Sequence, residues 1–222
     1  KSVLSSYSDG VSHLMVGFNR RFSPFVQKIR SFLGEKPGPM SIHYRINAGY
    51  LPKDHWLHDP IQGGGRLIGE GCHFLDLCLY LAASPAISVR TVVLPNLNKY
   101  MNDNFSVTVV FENGSIATID YLSNGDKNIE KERLEIFCDG KVVQLNDFRR
   151  MALTFAGKTE RVKSLLNQDK GQLNTWNLFV EAVRNSKNTP IDIMEIVNST
   201  ILTLAADRSM QEQKEIFIRD IC

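Results

Sequence analysis

The 222-residue chain has no apolar run of the ~18 residues that a membrane-spanning helix requires. Its most apolar stretch, residues 72–83, is broken by His73 and Asp76, so no membrane partner is expected. Charge of one sign is also missing. Twenty-six Lys and Arg stand against 24 Asp and Glu, a net of +2, too little for the basic footprint that nucleic-acid binding needs. Cysteine is scarce: Cys72, Cys78, Cys138 and Cys222 form no C-x-x-C pair. That excludes a paired-Cys zinc site and favours free thiols in a reducing compartment, the cytoplasm. No G-x-G-x-x-G follows a strand, so the chain carries no dinucleotide fingerprint, and no H-E-x-x-H zinc pattern exists. The first ten residues hold neither an initiator Met nor the apolar core of a secretory signal, and the chain is expected to begin partway through a longer protein.

What is present is an ordinary globular composition, 43% hydrophobic and 23% charged. At this length roughly 70% of the unfolded surface can be buried, which excludes disorder as the main state. Residues 14–18 read as a short buried strand. Ser23 and Pro24 then mark the start of a helix with Phe25, Val26, Ile29, Phe32 and Leu33 on one face and Gly34 as its stop. A strand is expected over 40–47, followed by a long irregular loop to residue 65 that holds Trp56, His55 and His58. Residues 66–83 have the apolar spacing of a mostly buried helix. Alternating strands with two-residue turns at Asn113-Gly114 and Asp139-Gly140 occupy 87–145. Residues 147–171, with Arg149, Arg150, Lys158, Arg161 and Lys163, read as a solvated excursion. Two helices follow, one carrying Leu173, Trp176, Val180 and Val183, the other starting at Thr189-Pro190 or at Asp192 with Glu195. Residues 216–218 suit an edge strand. The fold class is therefore α+β: an open, largely antiparallel sheet with helices on one face. Val110, Ile119 and Tyr121 lack evident partners and point to an exposed sheet face and a homodimer or higher oligomer.

The densest chemical cluster runs from Gly63 to Asp76. Five glycines within nine residues let backbone approach a ligand closely, at the start of a helix whose free N-H groups favour an anion or polarised oxygen. Glu70 and His73 are three residues apart and so are neighbours on a helix. A His beside a carboxylate, with an ordinary pKa of ~6.5, suits proton abstraction near neutral pH. A hydrogen-bonded packing His is the alternative. His55, His58, Asp59, Glu70, Cys72 and His73 form a competing set of metal ligands, but carboxylate di-metal sites need two Glu-x-x-His motifs and only one is found, so no metal is expected.

Taken in order, several segments resemble the C-terminal half of the glucose-fructose oxidoreductase/inositol dehydrogenase/MocA family. Val16-Gly17-Phe18-Asn19-Arg20-Arg21-Phe22-Ser23-Pro24 looks like that family's last nucleotide-domain strand and its crossing into the second domain. Trp56 ahead of Gly63-Gly64-Gly65, then Cys72-His73-Phe74-Leu75-Asp76, looks like its active-site helix, and Ala205-Ala206-Asp207-Arg208-Ser209 like its closing helix. The stretch from Gly63 to Leu77 looks closest to the branch fused behind a zinc-type alcohol dehydrogenase segment.

The resemblance implies that residues 1–22 end a truncated Rossmann domain and that residues 23–222 form a substrate-binding and oligomerisation domain. It implies NAD or NADP, bound mainly by a domain outside this chain, and a sugar, sugar acid or polyol as substrate. The isolated chain is then expected to be inactive. His73 matches the family's catalytic histidine, with Glu70 standing in for an acidic residue expected where this chain has Gly69. Asn19 and Arg21 fall where the nicotinamide side of the cleft would be. Trp56, His55, Arg66 and Asp76 are the candidate substrate contacts, Asp76 having a structural role as its stronger alternative. Glu35-Lys36-Pro37 copies the family's lysine motif only in letters, since it lies in a helix-to-strand turn. The competing function is a non-catalytic sugar-sensing or scaffold module of the same fold.

Overall fold

The computed structural model describes residues 4, 7, 13–164 and 167–221. The expectation for Cys222 lies outside them, as does most of the stretch before residue 13. Helix α1 (Pro24–Leu33) follows a 3₁₀ turn, Asn19–Phe22, and ends at Gly34 with φ +99°. Ser23 occupies its N-cap position, but the hydroxyl donates to the Asp169 carbonyl at 2.7 Å instead of capping. Strand β1 (Met40–Asn47) leads to a loop and to a π-helical turn, Leu67–Gly71, which runs into α2 (Cys72–Ala82). Strands β2 (Ala86–Val93), β3 (Asn104–Phe111), β4 (Ile116–Leu122), β5 (Glu132–Cys138) and β6 (Lys141–Asn146) follow as expected. After β7 (Arg150–Phe155) and β8 (Lys158–Lys163) come α3 (Gln172–Arg184), α4 (Ile193–Glu212) and the edge strand β9 (Ile216–Phe217). Asp192 caps α4 by accepting from the Met194 amide at 2.8 Å.

The nine strands form one sheet in the order β8-β7-β6-β5-β1-β4-β3-β2-β9, antiparallel except where β1 meets β4. Alternation places Met40, Ile42, Tyr44 and Ile46 of β1 on the same buried face as Leu134, Ile136 and Cys138 of β5. The helices close over that face: α1 lies against β6 and β7, α2 against β1 and β4, and α4 against β2. Among the described residues no helix is long and apolar enough to cross a membrane.

Three expectations need correction. Residues 150–163 are not a solvated excursion but a hairpin, β7 (Arg150–Phe155) and β8 (Lys158–Lys163), joined at Ala156 and Gly157, both with positive φ. Met151 and Leu153 of β7 enter the core, whereas β8 is exposed along most of its length. Its charges suit an edge strand, because they discourage pairing with another chain, and they hid the alternation. Residues 14–18 form no strand. A ladder needs a neighbouring strand, and here Phe18 packs on Ile191 and Ile196 while the His13 ring meets the Lys187 carbonyl at 3.0 Å. Finally, Ile119 and Tyr121 are 1% and 0% exposed and face the helices. The open face of β4 carries Ile116, Thr118 and Asp120 instead, the opposite parity of the same strand.

Candidate active site

The segment 57–76 is built around close backbone packing. A Cβ at Gly63 would collide with the Leu57 backbone, and one at Gly69 with the Leu57 side chain. These two glycines therefore seat the loop on the π-helical turn and do not form an anion cradle. The same contact explains why position 69 carries no carboxylate, since any side chain there must displace the buried Leu57.

One residue beyond, Glu70 projects toward β4. Its Oε2 accepts from the Tyr121 hydroxyl at 2.5 Å and its Oε1 from Arg66 Nη1 at 3.4 Å. Glu70 is not hydrogen-bonded to His73, so the two interact through charge alone. His73 is half-buried, stands edge-on to Phe18 at 5.8 Å between ring centroids, and has a buried Nδ1 with no partner. Burial, then the positive charge of Arg20, pushes its imidazole down to about 4, against the pull of Glu132 and Glu70. His73 is consequently neutral at physiological pH.

The charge that controls His73 was not picked out from the sequence. Arg20 grips Glu132 with Nε and Nη2, each at 2.9 Å, and lies 4.5 Å over the Phe74 ring. Glu132 also accepts from the Tyr44 hydroxyl and, at 2.5 Å, from Lys170. Burial would raise the Glu132 carboxyl, but Arg20 and Lys170 outweigh it and hold it at about 2. The signal was available in β5, where Glu132 shares the inward parity of Leu134, Ile136 and Cys138. A charge on a buried face requires partners.

The remaining candidates divide. Asp76 is 0% exposed, paired with Arg21 through two bonds of 2.8 and 2.6 Å and with Ser199 Oγ at 2.8 Å. It therefore holds α2 to the junction and to α4, and its assignment as a substrate contact is overturned. Arg21 is largely enclosed as well, its Nη1 bonded to Glu195 at 2.8 Å. Asn19 donates its amide to the Lys170 carbonyl at 2.7 Å. Arg66 is buried, bonded to Glu70 and to the Gly49 carbonyl at 2.9 Å, so it supports Glu70 and is closed to a ligand. Trp56 is 58% exposed on a 3₁₀ turn that His55 caps by accepting from the Leu57 amide at 3.2 Å. His58 has both ring nitrogens buried without partners.

Among the described residues no three His, Cys, Asp or Glu side chains converge on a metal-sized site. Cys72, Cys78 and Cys138 are free thiols, and burial pushes Cys72 up to about 11. They stay protonated and unreactive. Asn19 makes one bond, to the Lys170 carbonyl, Arg21 makes three, to Asp76 and Glu195, and Gly63 and Gly69 pack on Leu57.

Comparison with known proteins places this geometry. Residues 36–144, from the approach to β1 through the His73 helix to β6, match the family model described as the GFO/IDH/MocA C-terminal domain. Over 131 residues the chain is 28% identical to the uncharacterised oxidoreductase YrbE of Bacillus subtilis, covering 56% of this chain but 37% of YrbE. Among solved structures, an oxidoreductase domain protein from Kribbella flavida superposes with a TM-score of 0.80 at 16% identity, over 94% of this chain and 66% of that one. Levoglucosan dehydrogenase, solved with NADH and levoglucosan, gives 0.77 at 16% identity, over 95% and 67%. The chain thus spans about two thirds of these structural neighbours. Strand, loop and His73 helix all fall inside the matched segment, and through residues 36–144 this chain matches the GFO/IDH/MocA C-terminal domain.

Proposed function

We propose that this chain is the substrate-facing and oligomerisation part of an oxidoreductase that acts on a hydroxyl of a sugar, sugar acid or polyol, with His73 as the proton acceptor and Glu70 as the neighbouring carboxylate. The observation that carries this reading is the half-buried imidazole of His73, neutral and within the field of the Glu70 carboxylate. A neutral imidazole can take the hydroxyl proton while the hydride would pass to the nicotinamide of a cofactor bound beside it, and Glu70 would stabilise the imidazolium that forms. Trp56, exposed on its turn, offers a flat apolar face to sugar C-H groups. Levoglucosan in the levoglucosan dehydrogenase structure supports the substrate class.

The chain carries no dinucleotide fingerprint, so we assign NAD or NADP mainly to a Rossmann domain of which residues 1–22 are the end and the rest lies outside this chain. Buried, protonated thiols suit a reducing, cytoplasmic setting. The test is calorimetry with NADH and NADPH. This chain should show no binding, and the intact protein should bind one of them and oxidise a sugar or polyol. Tight NADH binding by the chain alone overturns the assignment.

The open face of the sheet exposes Ile116 and Phe137 beside polar His43, Thr118 and Asp120. This mixture fits a second copy of the chain packed face to face. Sedimentation at micromolar concentration should give about twice the 25.1 kDa of one chain. A monomer throughout that range excludes this arrangement.

A further inference from the structure

Tyr121 lies in the inward row of β4 with its ring stacked on Phe105, 4.9 Å between centroids and 6° between planes, and 6.0 Å from Phe74. Phenylalanine would fill that space equally well. What the phenol adds is the single bond to Glu70 Oε2 at 2.5 Å. The other carboxylate oxygen faces Arg66, itself tied to the Gly49 carbonyl and lying 5.1 Å over the Tyr121 ring. Each oxygen of Glu70 thus has one donor, from two different elements, while 31% of its side chain is exposed. A carboxylate accepts about four hydrogen bonds, so two positions stay open.

We infer that Tyr121 is a positioning residue: its hydroxyl, with Arg66, locks the Glu70 carboxylate so that its open positions meet the hydroxyls of a bound ligand within electrostatic reach of His73. The inference rests on the oxidoreductase reading above, which makes the ligand a sugar or polyol. Burial and the Glu70 charge raise the Tyr121 phenol well above its ordinary range, so it remains a donor at every working pH. A carboxylate held in one rotamer before the ligand arrives loses no freedom on binding, and small misplacements of such groups are costly in rate.

The test is Tyr121→Phe, which keeps the ring stack and removes one oxygen. In this chain, side-chain NMR couplings of Glu70 should change from a single rotamer to an averaged set while the thermal midpoint moves little. In the intact oxidoreductase, kcat should fall about tenfold with a smaller change in KM, and the same substitution in a Glu70→Ala background should cost nothing more, because the hydroxyl acts only through Glu70. A Glu70 side chain as fixed in the variant as in the native protein overturns the inference, as does a tenfold loss that persists without Glu70. An intact protein that oxidises no sugar or polyol counts against the oxidoreductase reading and leaves the NMR result to decide the positioning role.

Discussion

Replacing Glu132 with Leu is expected to destabilise the domain by about 3–5 kcal/mol, the cost of leaving one partner of a buried ion pair uncompensated. Glu132 is 1% exposed and is the common acceptor for Arg20, Tyr44 and Lys170. Without it the Arg20 guanidinium stays buried against Phe74 with no counter-charge. Domains of this kind have total stabilities of about 5–15 kcal/mol, so much of the margin disappears. With a urea dependence of ~2 kcal/mol per molar, the unfolding midpoint should fall by roughly 2 M. The double replacement Arg20→Leu with Glu132→Leu should recover a large part of the loss, since it removes the stranded charge as well as its partner. A midpoint within experimental scatter of the native value for Glu132→Leu alone would show that the network holds nothing together. The pH dependence has a defined window: the folded carboxyl sits at about 2 against an ordinary 4.5, so the unfolded chain binds the proton first as pH falls. Stability from this group is complete above 4.5 and is lost between 4.5 and about 2.

The second large effect concerns turnover. In the intact protein, the proposed oxidoreductase, His73→Asn should lower kcat by about 10²- to 10⁴-fold, the range that a positioned general base contributes. Its folding should survive, because His73 is half-buried and its Nδ1 makes no bond that the substitution breaks. A separate signature appears in stability. The native imidazole titrates at about 4, below its ordinary 6.5, so the unfolded state takes up the proton as pH drops through that interval. His73 therefore costs stability between 6.5 and 4, amounting to about 3 kcal/mol at the lower end by the linkage relation. His73→Asn should flatten that limb and leave the lower Glu132 limb intact. Unchanged kcat would remove His73 from the chemistry and favour the sugar-sensing module. An unchanged acid limb would mean that the imidazole is not buried as described.

Elements with strong periodicity or turn chemistry were legible in the residues alone. Met40 to Asn47, the two-residue Asp139-Gly140 turn and the Asp192 cap appear where expected, whereas Asn113 and Gly114 belong to a three-residue loop with Glu112 between Phe111 and Ser115. The β7–β8 hairpin was not, because an exposed edge strand carries charge where alternation would otherwise show. At the site, a spacing of three singles out His73 and Glu70, which interact through charge without a hydrogen bond. The π-helical turn sends Glu70 toward Tyr121, 51 residues away in β4. Arg21 and Asp76 were taken as ligand contacts, yet each satisfies the other inside the fold.

The sequence by itself determined the class of fold, the absence of a nucleotide fingerprint, and the helix on which the candidate acid and base stand. These follow from local spacing, which backbone geometry converts directly into faces and turns. Only the tertiary structure decided which charges are available for chemistry. Arg20 and Arg21 are adjacent, but one reaches β5 and the other reaches α2 and α4, across separations of 112, 55 and 174 residues. Buried charge must find a partner wherever the fold supplies one, and no local pattern records where that will be.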